Sequence, residues 1–385
     1  MTVHASASQL RLICTCARGT EKALKFEMKA CGAENTRSLN GAVEGTGSVE
    51  TMARLNIQSR IAHHVLWEVH RFKATDEDSL YDGVYEFPVE EYWSPQLTLA
   101  TKAHLFNAPM THDKYVTLRV KDALVDRLRE KKRAQPILSP RDPDMRFILF
   151  WNGEDATLSI DTSGKPLHQR GYRPSGAIAP MRETLAAAML AIGHADVTRP
   201  FYDPCCGSGT LGIEQAFRAL KWAPGRHRRF GCERWGNELL GTSRAFKHVR
   251  GETASEEKQS LDAPIVLSDW HPKAVQHCTD AISAAGLDEH LTVQRQDARK
   301  VSFETARPVI CSNLPFGERL SQNTLQLDGF YRTLGETFSA LPGARILVLT
   351  THPYAEKLFG LGTPKRWPLY SGPLKAKLRK WDLAE

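Results

Sequence analysis

Residues 309–320 read VICSNLPFGERL, an apolar run that ends in an amide, a proline and a phenyl ring. An exocyclic amine on a nucleobase is a poor nucleophile, because its lone pair is delocalised into the ring. Acceptors aimed at both of its N–H groups draw the nitrogen toward a pyramidal geometry and free that pair. The side-chain oxygen of Asn313 and the carbonyl of Leu314 suit this task. Pro315 removes a competing N–H donor and fixes φ at about −65°. Phe316 offers a ring face for an extracted base, worth ~1–3 kcal/mol for a stacked base. Gly317 permits a tight exit, and Arg319 stands where it can steer an extruded nucleotide. Asn313, Leu314, Pro315 and Phe316 are therefore the catalytic candidates, read as a clamp for an aromatic amine.

A methyl donor for such an amine needs its own site. Residues 203–212, DPCCGSGTLG, form a literal G-x-G-x-x-G between an apolar run and a helical pattern. Glycines there let a ligand approach the backbone, and the helix N-terminus favours negative charge. The motif alone fits a nicotinamide enzyme equally well. The acid such an enzyme needs about twenty positions on would be Glu233, which follows RHRRFGC and not a clean strand. Asp269 and Asp297 fit better, since they close IVLSD and VQRQD. Carboxylates at successive strand ends of a doubly wound sheet face one crevice. One can accept both ribose hydroxyls, the other an adenine amine, while Asp203 faces an ammonium group. That set suits S-adenosylmethionine, which has no pyrophosphate. Gly207 and Gly209 in the loop, its Cys205, Trp270 beside Asp269, and Asn313 complete this reading of the cofactor site.

Several elements must hold these residues in place. RPFYDP, APIVLSD, LTVQRQD, PVICSN and ARILVLTT read as strands alternating with helices, the helix after RPFYDP opening on Ser208. This is the pattern of a parallel sheet covered on both faces, and KRWPLYSG with LKAKLRKWDL closes it as an antiparallel hairpin. The earlier part mixes strands and helices in an α+β pattern. There KYVTLRV reads as a strand leading into a basic helix, and RFILFWNGEDATLSID as a hairpin turning at Asn152-Gly153. RGETASEEKQS, residues 250–260, reads as a surface loop. The expected division is 1–60, 61–162 and 163–385.

With 385 residues, 41% hydrophobic and 25% charged, the chain has the balance of a globular protein of two or three domains. No apolar run of ~18 residues argues for a membrane span, and the start, MTVHASASQLRL, lacks a signal-peptide pattern. A cytoplasmic protein without a membrane partner is expected. The eight cysteines lack metal spacing and read as small buried hydrophobes, so no metal is expected. The net charge of +7 is compatible with a polyanionic partner. Lys121, Arg127, Lys131, Lys132 and Arg133 cluster in the basic helix, and Arg226, Arg228 and Arg229 in GRHRRF. With Arg319 these are the candidate contacts to such a polyanion, against the plainer reading of a solvated helix with i,i+4 pairs.

NLPFGERL resembles the (N/D)PP(Y/F) motif of amino-methyltransferases, and DPCCGSGTLGIE resembles their cofactor loop. LHQRGYR, APMRETLAAAML, DPCCGSGT, APGRHRRFGCERW and NLPFGERL stand in the order seen in bacterial THUMP-containing ribosomal RNA guanine-N2 methyltransferases. KDALVDRLRE and DTSGKPLHQRGYR extend that resemblance over nearly the whole chain. It implies a Rossmann-like class I methyltransferase domain preceded by a ferredoxin-like unit and an RNA-binding THUMP domain. It also implies S-adenosylmethionine as cofactor, methylation of a guanosine N2 in 23S ribosomal RNA, and Glu183 and Thr184 beside the cofactor. Members are often labelled adenine-specific DNA methylases, which the THUMP-like half argues against. Leu314 stands where the family usually has Pro, and Phe316 where Tyr is common. Similar Leu variants resemble methyltransferases of transfer RNA guanine, so a transfer RNA substrate is one alternative. A non-catalytic RNA-binding assembly factor is the other.

Overall fold

A computed structural model describes residues 9–173, 181–236, 239–301, 307–315, 324–371 and 374–385. The chain forms two compact units. The first takes the described residues up to Thr15, with Lys25–Leu167 and His227–Glu252; the second takes Cys16–Leu24, His168–Arg226 and Thr253–Glu385.

The elements before residue 162 are β1 (Leu10–Thr15), α1 (Glu21–Ala30), β2 (Glu34–Leu39), β3 (Ala42–Gly47), α2 (Val49–Gln58), β4 (His64–Lys73), α3 (Glu77–Glu86), β5 (Leu99–Phe106), α4 (Asp113–Lys132), β6 (Met145–Asn152) and β7 (Asp155–Asp161). Their strands make one sheet in the order β2-β3-β1-β4-β7-β6-β5. β4 pairs antiparallel with β1 on one side and β7 on the other. The division expected near residue 60 therefore falls in a connection within a single sheet. Period-two burial explains the strands: Leu10, Leu12 and Cys14 are inside while their neighbours in β1 are not. The β6–β7 hairpin pairs Asn152 with Asp155, and Gly153 takes the left-handed conformation its turn requires (φ +58°).

Two expectations fail here. KYVTLRV is not a strand but the first turns of α4, whose buried residues Val116, Val120, Ala123, Leu124 and Leu128 follow helical spacing. Packing of that stripe outweighs the β-propensity of Val and Thr. Likewise residues 250–255 are not a loop but the end of a helix that begins at Thr242.

The second half continues with α5 (Glu183–Ile192), β8 (Phe201–Asp203), α6 (Thr210–Ala219), α7 (Thr242–Ser255), β9 (Ile265–Asp269), α8 (Pro272–Ala285), β10 (Leu291–Arg295), β11 (Val309–Asn313), α9 (Thr324–Ser339), β12 (Arg345–Thr350), α10 (Ala355–Phe359), β13 (Lys365–Ser371) and β14 (Leu374–Asp382). The second sheet has the order β10-β9-β8-β11-β12-β14-β13. It is parallel from β10 to β12, and β14 runs antiparallel to β12 and to β13. Each face of this sheet has its own core. Val309, Cys311, Leu347 and Leu349 join one with α5, α6 and α8. Ile310, Ile346 and Val348 join the other with α9 and α10. Burial on both faces is why these strands read as unbroken apolar runs.

Residues 227–252 follow the second sheet's first strand in sequence yet fold with the first unit. Gly231 and Cys232 donate backbone N–H groups to Ser163 O and Thr162 O, and Trp235 Nε1 donates to Asp144 O at 2.8 Å. Arg250 closes this segment on Glu233 at 2.7 Å.

Candidate functional site

The order of strands reverses direction at β8: the chain steps to β9 and β10 on one side, then returns to β11 on the other. Such a switch point opens a crevice beyond the carboxyl ends of the strands. Asp203 ends β8, Asp269 ends β9 and Asn313 ends β11. Asp297 lies two residues past β10 and caps the short turn Ala298–Lys300.

The glycine loop crosses this edge. Gly207 and Gly209 both have positive φ, +54° and +76°. At Gly209 a Cβ would also stand 2.6 Å from Cys278 Sγ, so no other residue fits. This residue caps α6, which starts at Thr210 and not at Ser208 as the sequence suggested. Asp269 fastens the loop, accepting from Gly207 N at 3.1 Å and from His271 N at 2.9 Å. Cys206 N donates to Ser268 O at 2.9 Å. Bonds from Gly207 N and Cys206 N thus fasten the loop to the end of β9.

Asp203 is 2% exposed. Burial pushes its carboxyl up to about 7, opposed by a hydrogen bond from Ser312 and one from Cys205 N, and aided by the Asp269 charge. The Ser312 bond is 2.7 Å long. Glu183, at the start of α5, is also pushed up to about 7 by burial, against the pull of Arg173 2.8 Å away. Burial raises the Cys205 thiol as well, which keeps it neutral. Asp297 is held low by the guanidinium of Arg299, whose Nη2 lies 2.6 Å from its Oδ2. Trp270 is 63% exposed beside Asp269.

At the candidate clamp, Asn313 Oδ1 is buried and accepts no hydrogen bond among the described residues. The same holds for Thr184 Oγ1. A buried acceptor without a donor costs about 1–3 kcal/mol, so each is a place where a ligand's N–H or O–H has something to gain. Leu314 explains its departure from proline. Its side chain is 1% exposed among Leu327, Tyr331 and Leu334, and its N–H donates to Leu349 O at 3.2 Å. Tyr331 in turn donates to Pro315 O at 3.4 Å. Leu314→Ala is expected to cost about 2–5 kcal/mol in urea unfolding, whereas a side chain pointing into solvent would give almost no change. Phe316 and Arg319 lie outside the described residues.

Asp203, Cys205, Gly207, Gly209, Asp269 and Asn313 thus share one edge of one sheet, with Trp270 and Asp297 flanking it. Sequence reasoning missed Ser312 and the arginine network behind α5 and α6. There Tyr172 donates to Glu214 at 3.1 Å, and Arg170 lies 3.5 Å from the same carboxylate, its side chain covered like those of the two buried residues. Ser312 carried one local signal, a polar residue inside an apolar strand.

The candidate RNA residues divide. Arg127 is engaged internally, with Nε and Nη2 on Glu90 at 2.7 Å and Nη1 on Tyr85 O. Arg228 donates to Pro166 O and Lys165 O. Arg226 lies over the Trp222 ring, 3.5 Å from its centroid. Lys121 and Lys131 pair with Asp122 and Glu130 next to them. Lys132, Arg133 and Arg229 are exposed. Among the described residues no cluster could hold a metal ion, and no helix is long and apolar enough to cross a membrane.

A glycine-loop sheet with acids on successive strand ends and a hairpin edge defines a Rossmann-like methyltransferase fold. The chain belongs to the family described as RMKL-like, methyltransferase domain, whose model matches residues 170–380. The RlmL ferredoxin-like domain matches residues 11–66 and the THUMP domain residues 74–161. It is 35% identical over 391 residues to the Ribosomal RNA large subunit methyltransferase K/L of Syntrophotalea carbinolica, covering 98% of this chain and 54% of that protein. The protein of the same name from Magnetococcus marinus is 33% identical, with 94% and 52% covered. The chain spans about half the length of the curated relatives it matches. Among solved structures, a "putative methyltransferase complexed with SAH" superposes with a TM-score of 0.90 at 27% identity, covering 98% of this chain and 99% of that one. A "predicted N6-adenine-specific DNA methylase" from Listeria monocytogenes gives 0.87 at 29%, covering 97% and 96%.

Proposed function

We propose that the chain transfers a methyl group from S-adenosylmethionine to the exocyclic N2 of a guanosine in large-subunit (23S) ribosomal RNA. The observation that carries this reading is the unpartnered, buried oxygen of Asn313 at the crevice beside the anchored glycine loop. The relatives' names support the RNA class, and the relative complexed with SAH supports the donor.

S-adenosylmethionine, when bound, supplies an electrophilic methyl group on a sulfonium. Asp203 and the glycine loop would hold its amino-acid end, Asp269 its ribose, and Asp297 with Trp270 its adenine. The chain's own part is positioning. Asn313 Oδ1 and the Leu314 carbonyl accept the two N–H groups of the amine, which turns its lone pair outward. Tyr331 steadies the Pro315 carbonyl next to them. The amine's proton leaves to water after transfer, so no strong base is required.

Asp203 gives this reading a pH signature. A cationic ammonium beside it favours the carboxylate, so binding releases a proton where Asp203 is protonated, below about 7. Affinity for S-adenosylmethionine should fall up to about tenfold between pH 8 and pH 6, and Asp203→Asn should flatten that profile in calorimetry. The ligand-free fold has the opposite sign. Raised values at Asp203 and Glu183 stabilise it most below the unfolded carboxylate range, and this contribution is lost as pH rises through about 7.

Mass spectrometry of nucleosides from cells lacking the protein tests the substrate. N2-methylguanosine should fall in 23S ribosomal RNA. Loss confined to transfer RNA would overturn the substrate, and no loss together with no affinity for S-adenosylmethionine would overturn the activity.

A further inference from the structure

The C-terminal hairpin carries cations that no step above employs. In β13 and β14 the register sets Tyr370 opposite Lys375 and Pro368 opposite Lys377. Leu369, Ala376 and Leu378 are buried on one side of the hairpin, while Lys375 and Lys377 are exposed on the other. Arg18, in the segment that folds with this unit, places its guanidinium 4.9 Å from the Tyr370 ring centroid and accepts Tyr370 N at its carbonyl. Inner cations of the hairpin are neutralised: Arg366 and Arg379 pair with Glu356, and Lys380 with Asp382. Arg18, Lys375 and Lys377 have no acidic partner among the described residues.

Their level in the sheet is what gives the patch meaning. Asn313 is paired with Leu349 of β12, and the next residue, Thr350, is paired with Lys377 of β14. The backbone of Lys377 therefore stands at the height of the clamp, two strand spacings or about 10 Å across, with its side chain on the α9–α10 face of the sheet. Because β14 is antiparallel, Lys375 lies farther out, beyond the carboxyl end of β12 and on the crevice side. Glu356, by pairing with Arg366 and Arg379, puts the segment after His352 on this same face of the hairpin, and Tyr354 there is 66% exposed. Uncompensated cations beside an exposed ring and a half-buried one are the makings of a single-strand track.

We infer that the outer face of this hairpin, with Arg18, Lys375, Lys377 and Tyr354, binds the phosphate backbone and one flanking base of the single-stranded RNA whose target nucleotide enters the clamp. The inference rests on the RNA reading above. It assigns the flanking contacts to the methyltransferase unit itself, independently of the THUMP domain.

The test uses the full chain carrying Lys375→Glu and Lys377→Glu together, with a labelled single-stranded RNA followed by anisotropy across salt concentrations. Affinity should weaken about tenfold, and the slope of log K against log salt should flatten by about 1.4, two phosphates at about 0.7 each. S-adenosylmethionine should bind as to the unaltered chain, which shows the fold intact. Lys375→Arg with Lys377→Arg should retain RNA affinity. Lys221→Glu with Lys273→Glu changes the same charge on exposed residues of the same unit away from the hairpin. Equal weakening by that pair, or an unchanged slope in the hairpin variant, overturns the inference while leaving the proposed activity standing. An unaltered chain that binds no RNA overturns the RNA reading and the inference with it.

Discussion

Asn313→Ala is expected to lower methyl transfer by about 10²–10³-fold, the scale seen when one preorganised polar group at a reacting centre is removed, while S-adenosylmethionine should bind within a few-fold of the unaltered chain. The expected split follows from where the residue stands. Asn313 is the last residue of β11, held by parallel pairing to Leu349, and its neighbour Leu314 is locked into the core. Removing the side chain therefore takes away an acceptor without moving the backbone that presents the Leu314 carbonyl. The cofactor loop is anchored separately, through Asp269 and Ser268. Single-turnover kinetics with a saturating donor, beside calorimetry of donor binding, separates the two quantities. Asn313→Asp, which keeps an acceptor at the same place, should recover part of the rate. A near-normal rate in the alanine variant would refute the clamp.

Asp269→Ala should have the second-largest effect, on affinity instead of rate. Its two oxygens each hold a backbone N–H, one in the glycine loop and one at the start of α8. Both bonds are to a charged acceptor, worth about 1.5–3 kcal/mol each. Their loss should loosen the loop, and under the proposed reading the ribose hydroxyls lose their acceptor too. Calorimetry should read a weakening of about 10²-fold or more for S-adenosylmethionine. Asp269→Asn, which keeps one oxygen, should fall between. Unchanged affinity in the alanine variant would remove Asp269 from the cofactor site.

The strand-end residues were legible because their signals are local. An apolar run buried on both faces stops where the chain meets the crevice, and Asp203, Asp269 and Asn313 mark those stops. The glycine loop was legible for the same reason, although the first residue of α6 was not: Ser208 looks like a cap, and positive φ at Gly209 took that place. The beginning of α4 was hidden because Val116, Thr117 and Val120 favour strands until the partners of their stripe are known. Partnerships across the chain left no trace in a single sequence. Ser312 meets Asp203 across 109 positions, and Tyr172 meets Glu214 across 42. The uses of Arg127 and Arg228 were equally hidden, since charge alone does not tell a guanidinium facing water from one spent on nearby carbonyls.

Residues 227–252 interrupt the second unit in sequence and complete the first in space. During synthesis the first unit consequently cannot close when residue 167 leaves the ribosome. It must wait, with the surface around Asp144, Thr162 and Ser163 uncovered, until Trp235 and Glu252 have followed. A gene fragment cut at residue 163 would part Trp235 from the Trp67 ring and from the Asp144 carbonyl.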